Sequence, residues 1–222
     1  STQSRSSAAT DVYKRQSQNN VFDSVLAPVF FVLLNRFFDL NIAIIGTGFL
    51  VVLTIIYRVL RKDDLKFAFI GVVGTIVALL IARFQGSASG FFLPGIIRDL
   101  SIALIGFVSI LIRRPFTIYS SQYFRKWPME WYLLPSVKPA YNQVAILWVA
   151  FLSLKGGLQV LFFNNPEILA IIKLSTSNQT TLILLIVSYF LGLRKLKNLK
   201  GPSVEEFKNN VSPPWKGQER GF

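Results

Sequence analysis

Five side chains in this sequence set a charged or strongly polar head in an otherwise apolar neighbourhood: Arg83, Arg98, Asp99, Lys155 and Gln159. Ionisable groups inside long apolar stretches are costly to keep, so each calls for a partner or a role. Asp99 is the sharpest case. Arg and Lys can extend along apolar stems towards a headgroup layer, whereas an Asp side chain is too short. Catalytic chemistry has little else to draw on. The chain contains no His and no Cys, which removes the commonest general base and metal ligand and every thiolate. No acid pair at motif spacing, phosphate loop, metalloprotease helix or nucleophile elbow occurs. The expectation is a protein that is not an enzyme, with no catalytic residue, no metal site and no cofactor.

Six apolar segments must position these residues. They run from Asp23 to Phe38, Leu40 to Tyr57, Phe67 to Phe84, Phe91 to Ile112, Tyr141 to Phe163 and Gln179 to Leu193. A spanning helix needs about 20 mostly apolar residues. The second to fifth segments reach that length with their flanks; the first and sixth are shorter, and Pro28 is placed to kink the first near its start. Of 222 residues, 52% are hydrophobic although both ends are polar, and mean hydropathy is +0.47. This places the chain in the membrane class. A soluble helix bundle would need a polar face that the stretch from Ile42 to Tyr57 lacks.

Orientation follows from Lys and Arg in the short connections. One cluster is Arg58, Arg61, Lys62 and Lys66; a second is Arg113, Arg114, Arg125, Lys126 and Lys138; a third is Arg194, Lys195, Lys197 and Lys200. The other connections hold only Arg36, Arg83 and Lys173. Six crossings put all three clusters on one side. The expected fold is an all-α integral membrane bundle of six transmembrane helices with both termini cytoplasmic and one interfacial amphipathic segment. The formal charge of +13 is accounted for by this topology and by anionic lipid on the cytoplasmic side. No nucleic-acid module is visible.

On that topology, Arg98 and Asp99 lie roughly 10–12 Å below the outer end of the fourth segment, and Lys155 roughly 12 Å below the outer end of the fifth, at about 1.5 Å per residue. The matched depth predicts an Asp99–Lys155 pair, with Arg98 or Gln159 close enough to complete a network. Arg98 is the poorer partner, because adjacent residues on a helix point about 100° apart. It is left to bind something anionic, with Arg83 adding positive potential at the outer mouth. The plainer reading is a structural ion pair with snorkelling Arg and Lys.

The connections carry further expectations. Gln85 to Gly90 reads as a short, flexible turn. Between Pro115 and Pro139, residues Phe116, Tyr119, Tyr123 and Trp127 recur at helical spacing beside Arg125 and Lys126. They predict an amphipathic helix in the cytoplasmic interface, ended by Pro128, with Tyr119, Tyr123, Trp127 and Trp131 at the lipid interface. Asn165-Pro166-Glu167 has the form of a helix start. Gly71 and Gly74 are candidates for close helix packing. Residues 201–222 read as a polar, disordered cytoplasmic tail. The domain organisation is thus a six-helix membrane domain over residues 17–200 and that tail. Residues 1–16 look like something else: Ser6 to Gln16 reads SSAATDVYKRQ, which resembles a translated sequencing-library adaptor. Without residues 1–16 the charge is 21 minus 10, or +11.

Several strings occur in a set order: Phe91-Phe92-Leu93-Pro94-Gly95-Ile96, Arg114-Pro115, Ala140-Tyr141, Leu147-Trp148, then Lys155 and Gln159-Val160. Over roughly Phe22 to Leu193 the chain resembles the bacterial, chiefly actinobacterial, polytopic membrane proteins called the domain of unknown function 3159 family. The resemblance implies an integral inner-membrane protein with no assigned activity. It also implies that a basic residue is common at Lys155 and that the Arg98-Asp99 pair is particular to this chain.

Two main readings of function follow, and a third, a lipid-processing enzyme, is the weakest because His, Cys and an acid pair at motif spacing are all absent. The first is a path or carrier for a small polar or anionic solute, built on the five intramembrane polar residues. Six helices without an internal repeat do not match an inverted-repeat transporter, although a homo-oligomer would supply a second half. The second is a non-catalytic membrane scaffold or assembly factor, built on the aromatic connection and the tail. Membrane lipids are the expected partners of either.

Overall fold

A computed structural model describes residues 26–61, 65–176 and 178–222. The adaptor-like residues 1–16, the start of the first apolar segment and Lys62 lie outside the described residues. Among the described residues, all regular structure is helical, and no strand occurs.

All six apolar segments form helices. They are α1 (Leu26–Phe37), α2 (Leu40–Arg61), α3 (Leu65–Gln85), α4 (Leu93–Leu111), α7 (Lys138–Leu161) and α9 (Asn178–Leu199). Between them stand a 3-10 turn (Ala88–Phe92), α5 (Phe116–Arg125), α6 (Met129–Tyr132) and α8 (Pro166–Ser175), with α10 (Val204–Lys208) near the end. Among the described residues, three stretches are long and apolar enough to cross a membrane: Leu40–Arg61, Ala88–Leu111 and Lys138–Leu161. There are four if α8 and α9 together count as one broken span. The described part of α1 has 12 residues. Length and composition therefore support a membrane protein without fixing six crossings.

The described residues fall into two compact units. The first combines those up to Ile96 with Leu158–Asn178; the second combines Ile97–Gly157 with Gln179–Phe222. The division passes through α4 and α7.

In the first unit, α2 buries a single stripe, Ala43, Thr47 and Val51, spaced four residues apart. Its other faces stay apolar and exposed, with Ile45 and Phe49 outward, as a helix in lipid requires. The core joins Phe31 and Val32 to Ala78, Leu79 and Ala82, and to Phe91, Phe92 and Leu169. Phe31 and Phe91 stack with ring centroids 4.6 Å apart. Only the first part of the connection expected to be a flexible turn is open: Gln85 and Gly86 are exposed, whereas Ala88, Ser89 and Gly90 are buried with Phe91 and Phe92 in the 3-10 turn. Ser87 Oγ accepts from the Ser89 amide, and a Cβ on Gly90 would lie 2.9 Å from Ala82 Cα. The polar composition of Gln85 to Gly90 suggests solvent, but small side chains also allow a turn to approach a helix closely.

The second unit has an aromatic core of Ile118, Trp131, Tyr132, Val137, Ala140, Tyr141, Leu196 and Val204. Trp148 Nε1 donates to Ser188 Oγ at 2.9 Å, linking α7 to α9 by a polar contact suited to an apolar surround.

Candidate functional site

Helices α4 and α7 meet along an antiparallel seam. Three contacts mark it: Asp99 with Lys155, Leu100 with Gly156 and Gly106 with Val149. The numbers rise on one helix as they fall on the other. A Cβ on Gly156 would lie 2.5 Å from Leu100 Cδ2, and one on Gly106 would lie 2.7 Å from Val149 Cγ2. Neither site has room for a side chain without displacement, so glycine lets the two backbones approach. Gly71 and Gly74, expected in this role, face open space: a Cβ added at either would meet nothing within 4 Å. Their place in an apolar helix gives no sign of which face meets a neighbour.

The close approach positions the charges. Lys155 Nζ lies 2.8 Å from Asp99 Oδ2, so the expected pair is present. Arg98 completes the network, as expected of it or Gln159, and is a closer partner than its angle on the helix implies. Its Nε and Nη2 both donate to Asp99 Oδ1, at 3.1 and 2.8 Å. The long side chain curls back across the 100° between neighbouring positions, which the angle alone did not allow for. Asp99 thus receives three hydrogens from two cations. Its side chain is 4% exposed and that of Lys155 11%, while that of Arg98 is 66% exposed. The trio carries a net charge of +1, with the excess on the exposed guanidinium.

The remaining polar candidates stand outside these ion pairs. Gln159 is buried, and its Oε1 has no hydrogen-bond partner among the described residues. Arg83 is exposed in the last turn of α3.

The aromatic connection forms a folded module. Helix α5 follows Pro115 and buries Thr117 and Ile118. Tyr119, Tyr123 and Phe124 remain exposed, as an interfacial helix would present them. The helix stops before Pro128: Lys126 takes a left-handed conformation, and its amide donates to Gln122 O. Trp131 is not at a lipid interface. It is fully buried, and its indole N–H donates to Pro202 O at 2.9 Å. Trp127 is half-buried against Trp131 and Tyr132, with the Arg125 guanidinium 4.9 Å from its ring centre. Ser121 Oγ shares a hydrogen bond with the Tyr132 hydroxyl, and burial pushes the Tyr132 phenol above its ordinary value. Spacing correctly placed Phe116, Tyr119 and Tyr123 on α5 but not Trp127, which follows the left-handed cap at Lys126, and it could not tell a lipid-facing ring from one covered by a distant part of the chain.

That covering chain is residues 201–222, which are ordered rather than a loose tail. Ser203 and Glu206 form a reciprocal capping box at α10, a sequence signal that was present and missed. The Glu206 carboxylate also accepts from the Lys216 amide at 2.7 Å and the Gly217 amide at 3.2 Å. The backbone hydrogen bonds, that of Ser203 foremost, hold its pKa at about 2, below the ordinary 4.5. The segment ends with Phe222 stacked on Tyr141, centroids 4.4 Å apart, and Arg125 Nε donating to Phe222 O. The overall polarity of the segment concealed three apolar anchors, Val204, Phe207 and Phe222. Pro166 opens α8 with Glu167 in the first turn, as expected, but the Asn165 side chain makes no capping hydrogen bond.

Residues 18–199 match the model of a family described as Protein of unknown function (DUF3159). No curated protein matches the chain, and no solved structure matches it.

Proposed function

The chain belongs to this DUF3159 family, and we propose that it is a non-catalytic platform in a bacterial inner membrane. In this reading six crossings keep both termini cytoplasmic, and the three basic clusters support that orientation. The aromatic module then sits at the cytoplasmic headgroup level, where Tyr119, Tyr123 and the neighbouring Arg125 and Lys126 meet anionic lipid. One observation carries the choice of a platform over a solute path. Both carboxylate oxygens of Asp99 are taken by cations of the chain itself, so the intramembrane charge is satisfied as a structural clamp between α4 and α7.

The second reading, a path or carrier for a small polar or anionic solute, draws on the 66% exposure of the Arg98 side chain. Water separates the two. The chain has no native Cys, so Ile102→Cys and Leu158→Cys variants each carry one thiol. A charged, membrane-impermeant thiol reagent should leave both unmodified in lipid vesicles. Modification at either would require a wet cavity and would overturn the platform reading in favour of the solute path.

A further inference from the structure

Where α9 ends, the chain builds a cavity of about 510 Å³. Lys197 and Lys200 line it from the end of α9, and Lys216 and Trp215 line it from the last segment. We propose that this cavity binds a phosphate ester carried on a small organic group, such as the headgroup of an anionic glycerophospholipid. The inference rests on the platform reading and gives that platform a ligand.

Charge comes first. Three ammonium groups face one carboxylate, Glu219, leaving two positive charges on the lining. No ion pair engages these lysines or Glu219 among the described residues. Cations at a helix C-terminus also complement its dipole, which would account for Lys197 and Lys200 without a ligand. It does not account for Lys216, which arrives from a separate segment.

That arrival is built. The Lys216 amide donates to Glu206 Oε1, and the Gly217 amide donates to Glu206 Oε2. The same carboxylate closes the capping box of α10. The α10 cap therefore fixes the backbone from which Lys216 projects. Gly217 has φ +81, and a Cβ there would lie 3.3 Å from Gly201 O, so the segment passes close to the end of α9.

Size and lining then select the ligand class. The volume lies in the usual range of about 300–1,000 Å³ for small-molecule sites, which exceeds what a bare phosphate fills. Trp215 spends its indole N–H on Val211 O, so its ring offers the cavity an apolar wall and no donor. With Pro213 and Pro214 beside it, that wall suits a glycerol or similar carbon skeleton, while the ammonium groups suit the phosphate. A zwitterionic headgroup would bring its own cation among three lysines and should be rejected.

The test is calorimetric titration of the full chain in a neutral detergent. The probes are short-chain phosphatidylglycerol, short-chain phosphatidylcholine, glycerol 3-phosphate and inorganic phosphate. Phosphatidylglycerol should bind more tightly than phosphatidylcholine, and inorganic phosphate should bind least among the anions. Binding of glycerol 3-phosphate as tight as that of phosphatidylglycerol identifies a free ester as the source; tighter phosphatidylglycerol binding identifies the lipid. A Lys200→Gln, Lys216→Gln variant should lose about tenfold or more in affinity, given the typical worth of a lysine towards anionic headgroups. The equally discharged Arg113→Gln, Arg114→Gln variant should stay within about twofold. Glu219→Gln should tighten binding by roughly two- to fivefold, which tests the site without removing a lysine. Equal losses in the two double variants, no gain from Glu219→Gln, or equal binding of the two lipids would overturn the site. A modified thiol at Ile102→Cys would sink the platform reading while leaving these affinities unchanged.

Discussion

Asp99 and Glu206 are both carboxylates held by three donors, and they solve opposite problems. Asp99 is nearly fully buried and takes its hydrogens from the side chains of Arg98 and Lys155. Glu206 sits at the surface and takes its hydrogens from the backbone amides of Ser203, Lys216 and Gly217. In an apolar setting a charge must be neutralised by other charges, because uncompensated burial costs far more than a hydrogen bond returns. At a surface, water already stabilises the charge, and amides only organise the chain around it. The first device therefore fixes how two helices meet. The second fixes where a segment of chain lies.

The largest effect should come from breaking the buried pair. Asp99→Asn leaves Lys155 buried without its counter-charge and should cost roughly 3–5 kcal/mol of stability. Arg98→Gln, at an exposed guanidinium, should cost no more than about 1 kcal/mol. Adding Lys155→Gln to Asp99→Asn should recover part of the loss. A double-mutant cycle by denaturant unfolding in detergent measures all three, and additive losses would mean that the pair is not coupled.

A smaller effect should follow from pushing the seam apart. Gly156→Val must displace Leu100 and should cost about 1–3 kcal/mol. Gly74→Ala enters open space on α3 and should instead stabilise by up to about 1 kcal/mol through helix propensity. Thermal unfolding in the same detergent separates the two. Equal effects would show that the seam is not closely packed in lipid.

The smallest effect belongs to Glu206 and appears only in acid. Its folded pKa, about 2, lies below the ordinary 4.5. A depressed pKa contributes stability that is complete above the unfolded value and lost as pH falls through the folded one. Protection of the Lys216 and Gly217 amides from hydrogen exchange should therefore be complete above pH 4.5 and fall away towards pH 2. In Glu206→Gln it should be weak at every pH. The Asp99–Lys155 seam should be unaffected by that substitution, which is the clearest check that the two carboxylates serve separate regions.

The sequence by itself determined that six apolar segments are helices, that Asn165-Pro166 starts another, and that Asp99 requires Lys155. Each follows from a cost borne residue by residue: hydrocarbon forces backbone groups to pair within the helix, proline suits a helix start, and a short buried acid needs a cation at its own depth. Tertiary structure alone decided that Arg98 curls onto Asp99. It also decided that Gly106 and Gly156, rather than Gly71 and Gly74, admit a neighbour, and that Trp131 is core. Order in residues 201–222 belongs to the same class, although the Ser203–Glu206 box was legible. These outcomes depend on which surfaces meet, and the contacts that settle most of them join residues far apart in the chain, where no local periodicity reaches.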